Sequence, residues 1–262
     1  MDDLTLPGET RIAVAGDWHG SIVHTQHIIP WMHRLHPDIK TVVHVGDFGI
    51  PRTLANRKSY LSTASYWAVK TGIRLLVTPG NHEGWTLLDE LFEASGGQPV
   101  EVEPMVWLLP RGYRFTIAGI SFLSFGGAAS IDYKFRVEGA DWFPTEMPTE
   151  AHVAAAIAGG PVDVLITHET VNGGTPSVEK MLAENPQGWD ADELAYSSWS
   201  RKLVTDVWDG VNPRVLAHGH MHKKDEITLD DGRRVYSMHM NSKRGNIGFL
   251  TLNETLDWEW LD

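Results

Sequence analysis

The first half of the chain alternates two hydrophobic patterns. Apolar runs at 11–16, 41–45 and 73–77 read as short buried strands, each closed by a Gly- or Pro-containing turn. Residues 21–36, 53–70 and 86–94 carry apolar side chains at helical spacing, with Leu54, Leu61 and Trp67 marking the second stretch. The first of these helices is expected to stop at His36-Pro37, because the residue before a proline avoids the α conformation. A β-α-β-α-β-α order predicts a mainly parallel sheet covered by helices.

The pattern then changes. Segments 100–102, 106–109, 113–118 and 120–124 read as short strands at antiparallel meander spacing, punctuated by Pro and Gly. Residues 126–147 are irregular and rich in Gly, aromatic and charged residues. A helix at 149–158 and a strand at 162–167 follow, then a loop or lid at 172–192 with a short embedded helix. A helix over 193–208 and strands over 214–217, 225–229, 233–238 and 247–252 are expected next, and Trp258-Glu259-Trp260 alternates like a strand. No repeat, low-complexity tract or Ser/Pro linker divides the chain, so 1–262 is expected to form one domain with two sheets.

Composition narrows the chemistry. At 262 residues and 42% hydrophobic, the chain can bury a sizeable α/β core. It has no cysteine, which removes disulfides, thiolate zinc sites and cysteine nucleophiles. With 22 basic against 34 acidic residues the net charge is −12, which argues against extended nucleic-acid or anionic-membrane binding. A local positive site is still compatible with that balance. The segment Met1-Asp2-Asp3-Leu4 lacks the pattern of a signal peptide, and no apolar run approaches the roughly 20 residues that span a bilayer. A cytoplasmic location is the expectation.

Five predicted strand ends carry oxygen and imidazole donors. They are Gly16-Asp17-Trp18-His19-Gly20, Gly46-Asp47-Phe48-Gly49, Gly80-Asn81-His82-Glu83, Thr167-His168-Glu169 and Gly219-His220-Met221-His222. Each alone is ordinary turn chemistry. Ligands of open α/β sheets gather beyond the carboxyl ends of strands, so Asp17, His19, Asp47, Asn81, His168, His220 and His222 are expected to converge. Seven side chains exceed one closed tetrahedral site. They suit two metals with a shared ligand and open positions, the arrangement used for in-line displacement at phosphorus. Donors without thiolates suit Mn, Fe, Zn, Ni or Co better than Ca or a structural zinc.

With these blocks in order from residue 16 to 222, the sequence resembles the calcineurin-like metallophosphoesterase superfamily. The resemblance implies a four-layer α/β/β/α sandwich of two mixed β-sheets flanked by helices. It also implies two divalent metal ions, with Mn2+ favoured and Fe, Zn, Ni or Co as other candidates. Asp17, His19 and His222 would hold the first metal, and Asn81, His168 and His220 the second. Asp47 would bridge both. His82 would be the catalytic non-ligand histidine, hydrogen-bonding the phosphate or protonating the leaving oxygen. Residues 125–132, with Arg136, Trp142 and Glu146, are similar to a small single-domain bacterial and phage branch of the family. The Gly-Asp-x-Val-Asp-Arg-Gly pattern of protein Ser/Thr phosphatases is absent, since the second block continues Phe48-Gly49-Ile50-Pro51-Arg52. The fourth block has Thr170 where a proline often stands.

Other residues carry competing readings. Trp18, inside the first block, is expected to line the pocket mouth and is a candidate for substrate contact by stacking on a nucleobase. Arg136 would pair with Asp132 if that stretch is helical, or contact substrate phosphate. Glu83 is expected to orient a neighbouring ligand. His44 and His218 read as buried strand histidines, and His24, His27, His33 and His36 as a solvated or partly buried helix face. The expected activity is hydrolysis of small phosphodiesters, cyclic nucleotides included, by in-line attack of a metal-bridging hydroxide. Phosphomonoesterase or protein-phosphatase-like activity, a nuclease, and a metal-free interaction scaffold are the alternatives. The partner is then a small phosphoester substrate, with no membrane.

Overall fold

Alternate residues of a strand face opposite ways, so a run apolar at every position belongs to a sheet covered on both faces. The run Ile12–Ala15 is of this kind. Its Ala13 and Ala15 pack under helices, while Ile12 and Val14 face a second sheet. A computed structural model describes residues 1–53 and 60–261 of the chain. The expected helix at 53–70 appears there as Tyr60–Thr71, and its Leu54 lies outside the described residues.

The strands are β1 (Asp2–Asp3), β2 (Arg11–Ala15), β3 (Thr41–His44), β4 (Arg74–Val77), β5 (Val100–Glu103), β6 (Val106–Leu108) and β7 (Tyr113–Ile117). They continue with β8 (Ile120–Phe125), β9 (Val164–Thr167), β10 (Val215–His218), β11 (Asp225–Thr228), β12 (Arg234–Ser237), β13 (Ile247–Thr251) and β14 (Trp258–Trp260). The helices are α1 (Ile22–Leu35), α2 (Tyr60–Thr71), α3 (Trp85–Ala94), α4 (Glu150–Ala158), α5 (Pro176–Glu184) and α6 (Ala191–Val211). One sheet has the order β14-β13-β2-β3-β4-β6-β5 and the other β1-β7-β8-β9-β10-β12-β11.

Three apolar layers hold these pieces together. Ile29 and Met32 of α1, Leu61 and Ala64 of α2 and Leu88 of α3 pack on the outer face of the first sheet. Val43 and Val45 meet Phe115, Val164 and Ile166 between the sheets. Val153 of α4 and Leu203, Val207 and Trp208 of α6 cover the outer face of the second sheet against Leu165 and Leu216. Helices, sheet, sheet and helices make four layers, and both sheets are mixed. Among the described residues no helix is long and apolar enough to cross a membrane.

The expected meander at 100–124 is corrected. β5 and β6 pair antiparallel, but β6 joins β4 in parallel, and β7 and β8 form a hairpin in the other sheet. Pro110 lies at the crossing and has no N–H to extend a ladder, so the chain leaves one sheet there and enters the next. The β7–β8 hairpin closes on the two-residue loop Ala118-Gly119. Its φ angles of 50° and 78° are the left-handed pair that matches strand twist.

Candidate metal centre

The five donor-bearing turns all leave the carboxyl ends of parallel strands. β2, β3 and β4 come from one sheet, and β9 and β10 from the other. Each turn bends sharply within a few residues. His19, Asp47, His220 and His222 all sit at positive φ, between 47° and 65°. Non-glycine residues rarely adopt that region, and such strain concentrates at functional sites. The glycines beside them allow close approach. A Cβ on Gly80 would strike the Asp47 carboxylate, and one on Gly219 would strike that of Asp17.

Asp47 occupies the middle and is 1% exposed. His168 Nε2 lies 3.3 Å from its Oδ1, and His19 Nε2 lies 3.5 Å from its Oδ2. His168 Nε2 also stands 2.9 Å from Asn81 Oδ1, and the His168 and His220 rings are 5.0 Å apart. Asp17 is fully buried, with Oδ2 2.9 Å from His222 Nε2 and 3.0 Å from the His220 N–H. Asp17, His19, Asp47 and His222 each offer a donor atom within 4.8 Å of the others. Thus all seven candidate ligands lie around two buried carboxylates.

Surrounding groups aim these donors. His168 Nδ1–H donates to the Val45 carbonyl at 2.9 Å, and His19 Nδ1–H to Asn241 Oδ1 at 3.2 Å, so each ring turns Nε2 inward. The Asn81 amide donates to Ser130 Oγ at 2.9 Å, which turns its oxygen toward His168. Ser130 is placed in turn by its own N–H, which donates to Glu146 Oε1 at 2.7 Å. Glu83 accepts from the backbone N–H groups of Asp47 at 3.2 Å, Gly49 at 2.9 Å and Gly80, and so clamps two of the turns together.

The electrostatics follow from one buried acid among imidazoles. Burial disfavours charge on His19 and His168, but the hydrogen bond and charge of Asp47 win and push them up to about 9 and about 10. Burial opposes ionisation of Asp47 as well, yet His168 and His82 hold it well below the usual carboxylate range. Burial and the charge of Asp47 raise Glu83 to about 7. His82 differs. Asp47 favours its charged form, but burial and the Arg136 guanidinium outweigh that and lower its pKa. Arg136 lies against both ring nitrogens, with Nη1 3.2 Å from His82 Nδ1 and Nη2 3.5 Å from Nε2.

The residues fit divalent cations. The donor set is oxygen and imidazole nitrogen. The buried Nε2 of His222 has no hydrogen-bond partner among the described residues although it faces a carboxylate oxygen, a cost that a metal between them would remove.

Comparison with known families gives a match to the calcineurin-like phosphoesterase model over residues 10–224. The chain belongs to the calcineurin-like phosphoesterases. This family uses a dimetal centre, and its members are metal-dependent phosphoester hydrolases. Among solved structures, TT1561 of Thermus thermophilus is similar at 12% identity and a TM-score of 0.58, covering 97% of this chain and 98% of its own. A dimetal phosphatase from Danio rerio is similar at 11% identity and a TM-score of 0.56, covering 94% of each chain. At such identities the likeness is one of fold. A comparison with curated protein sequences gives no match.

Within this phosphoesterase fold Trp18 is not where the sequence reading puts it. Its indole is 0% exposed, donates from Nε1 to Asn246 Oδ1 at 3.1 Å, and packs against His44 and Phe48. It is a core residue beneath the turn and presents no face to a pocket. Arg136 does pair with Asp132, at 2.6 and 2.9 Å, across a 3-10 turn (Tyr133–Phe135). His44 and His218 are fully buried, and burial lowers both. His24 is anchored on Asn246 at 3.0 Å and lies apart from the metal candidates. Sequence reasoning missed Ser130, Asn241 and Asn246. Ser130 had a signal in the segment 125–132, whereas the two asparagines lie in a loop after β12 with no motif.

Proposed function

We propose that the chain is a dimetal phosphodiesterase for small substrates, cyclic nucleotides included, working with Mn2+. The carrying observation is the ring of donors around the buried Asp47, which touches His19 and His168 from opposite carboxylate oxygens. In this reading Asp17, His19 and His222 hold one ion, Asn81, His168 and His220 the other, and Asp47 bridges them. Bound there, two divalent cations supply Lewis acidity and lower the pKa of water for in-line attack at phosphorus. The chain's part is to fix the ligand geometry, keep Asp47 ionised and present a proton donor. His82 fills the last role. Held against the Arg136 guanidinium, its imidazole is placed to hydrogen-bond the phosphate or to protonate the leaving oxygen.

The absence of the protein-phosphatase pattern after Asp47 and the small cavity beside the centre support a small diester over a protein substrate. The net charge of −12 disfavours a nuclease. The family match crosses both sheets, which supports one domain. The test is a panel with added Mn2+ covering bis-p-nitrophenyl phosphate, p-nitrophenyl phosphate, 2′,3′- and 3′,5′-cyclic nucleotides and single-stranded DNA. Faster turnover of the diesters is expected. Preference for p-nitrophenyl phosphate would replace the reading with a monoesterase.

A further inference from the structure

We propose that a cavity beside the metal centre is the subsite for the base of a nucleotide-type phosphoester, closed by Trp189. The inference rests on the phosphoesterase reading and narrows its substrate class. The cavity, of about 200 Å³, shares His220 and His222 with the centre, so it adjoins the place where a phosphoryl group would be held and offers space for an ester substituent. Its other walls include Ile131, Met181, Leu182, Trp189 and Met221, and among the described residues no ionisable side chain lines it apart from the two histidines. Such walls accept an uncharged group and reject a second phosphate. The volume is below the roughly 300–1,000 Å³ of drug-sized sites, which leaves room for a single ring system.

The walls come from two segments with no other assigned task. Ile131 belongs to the irregular stretch after β8, and Met181, Leu182 and Trp189 belong to α5 and the loop behind it. That loop is held in place. Asn185, left-handed at φ 43°, ends α5, accepts from the Trp189 N–H at 3.0 Å and donates to the Trp189 carbonyl at 3.0 Å. Lys134 then ties the far side of the loop to the first segment through Asp190 at 2.8 Å. Phe135, 79% exposed, has its ring 6.5 Å from that of Trp189. A loop held before binding loses little entropy when its indole stacks on a ligand.

Two polar groups point to a heteroaromatic ring over a hydrocarbon tail. Ser197 Oγ, in the wall, accepts from Arg201 Nη1 at 2.7 Å, which leaves its own proton to donate. Gln187 adds an amide that both donates and accepts.

Calorimetric titration of the Mn2+-loaded protein with adenosine 5′-monophosphate and with ribose 5-phosphate tests this, because the two share the phosphate and differ in the base. The nucleotide is expected to bind on the order of tenfold more tightly, or better, as for stacking on one aromatic ring. Trp189→Ala should bring the ratio of affinities toward one, and Met181→Trp, which fills the cavity while keeping Trp189, should do the same. Equal affinities in the wild type, or a ratio that survives both substitutions, overturn the subsite. If both compounds bind alike and diesters are still hydrolysed, the subsite alone fails. If neither binds and no ester is turned over, the phosphoesterase reading fails with it.

Discussion

Arg136 Nη1 stands 3.2 Å from Nδ1 of His82, on a guanidinium that Asp132 grips at 2.6 and 2.9 Å. A guanidinium only donates, so it meets both ring nitrogens as a fixed positive charge, which disfavours the imidazolium and lowers the pKa of His82 together with burial. Two contacts from Asp132 fix the arginine, and the arginine fixes the position and lowers the pKa of the imidazole that faces the centre. His82→Gln should lower kcat by about 10²- to 10⁴-fold with bound metal unchanged. Arg136→Ala should lose part of that factor. In the double variant the losses should not add, because the arginine acts through the histidine. Steady-state kinetics of the four proteins gives the answer, and additive losses would break the link.

Asp47 is in reach of imidazoles on both sides of the centre, and its substitution removes a buried charge that both proposed ions share. Asp47→Ala should abolish phosphodiester turnover and lower the metal content of purified protein, measured by elemental analysis. Chelator treatment of the wild type should give the same loss, reversed by Mn2+. Near-wild-type activity in the variant would refute the bridging role.

The ligands were legible in the sequence for a local reason. Asp17, Asp47, Asn81, His168 and His220 each follow an apolar run within a few residues, most of them next to glycine, and strand followed by turn is a short-range signal. Sheet membership was not local. Nothing near Val106 says that β6 pairs with β4 in parallel, because the partner lies far back in the chain, beyond α3 and β5, and is chosen by packing of both faces. Asn241 reaches His19 only through a loop that the tertiary fold brings over, so it left no periodic trace. Trp18 shows the opposite error. Adjacency to His19 suggested a shared pocket, but the N–H groups of both residues converge on the Asp47 carbonyl, at 3.0 and 2.7 Å, while the indole turns into the core.

That burial makes a prediction about Trp18. Trp18→Phe removes the donor to Asn246 Oδ1 and leaves a gap against His44 and Phe48. A loss of about 2 kcal/mol is expected, read as a melting temperature lower by several degrees. Turnover of nucleotide and non-nucleotide esters should fall by the same factor. A selective loss on nucleotides would restore Trp18 to a substrate-contacting role.

Glu146 carries the pH dependence of the segment that orients Asn81. Burial raises it from its ordinary 4.5 to about 7, against the opposing hydrogen bonds from Ser130, and its Oε2 has no partner among the described residues. The folded chain therefore prefers the neutral acid. Below about pH 4.5 both folded and unfolded states hold the proton, and the stabilising contribution is complete. As pH rises from there the unfolded chain ionises first, so stability is lost progressively until about pH 7, by an amount on the order of 3 kcal/mol. Glutamine keeps an acceptor for the Ser130 N–H and never ionises. Glu146→Gln and wild type should thus melt alike near pH 4.5, and the variant should melt higher at pH 8. Thermal unfolding across that range tests the assignment, and a variant less stable than wild type at pH 8 would show that the ionised carboxylate is the form the fold prefers.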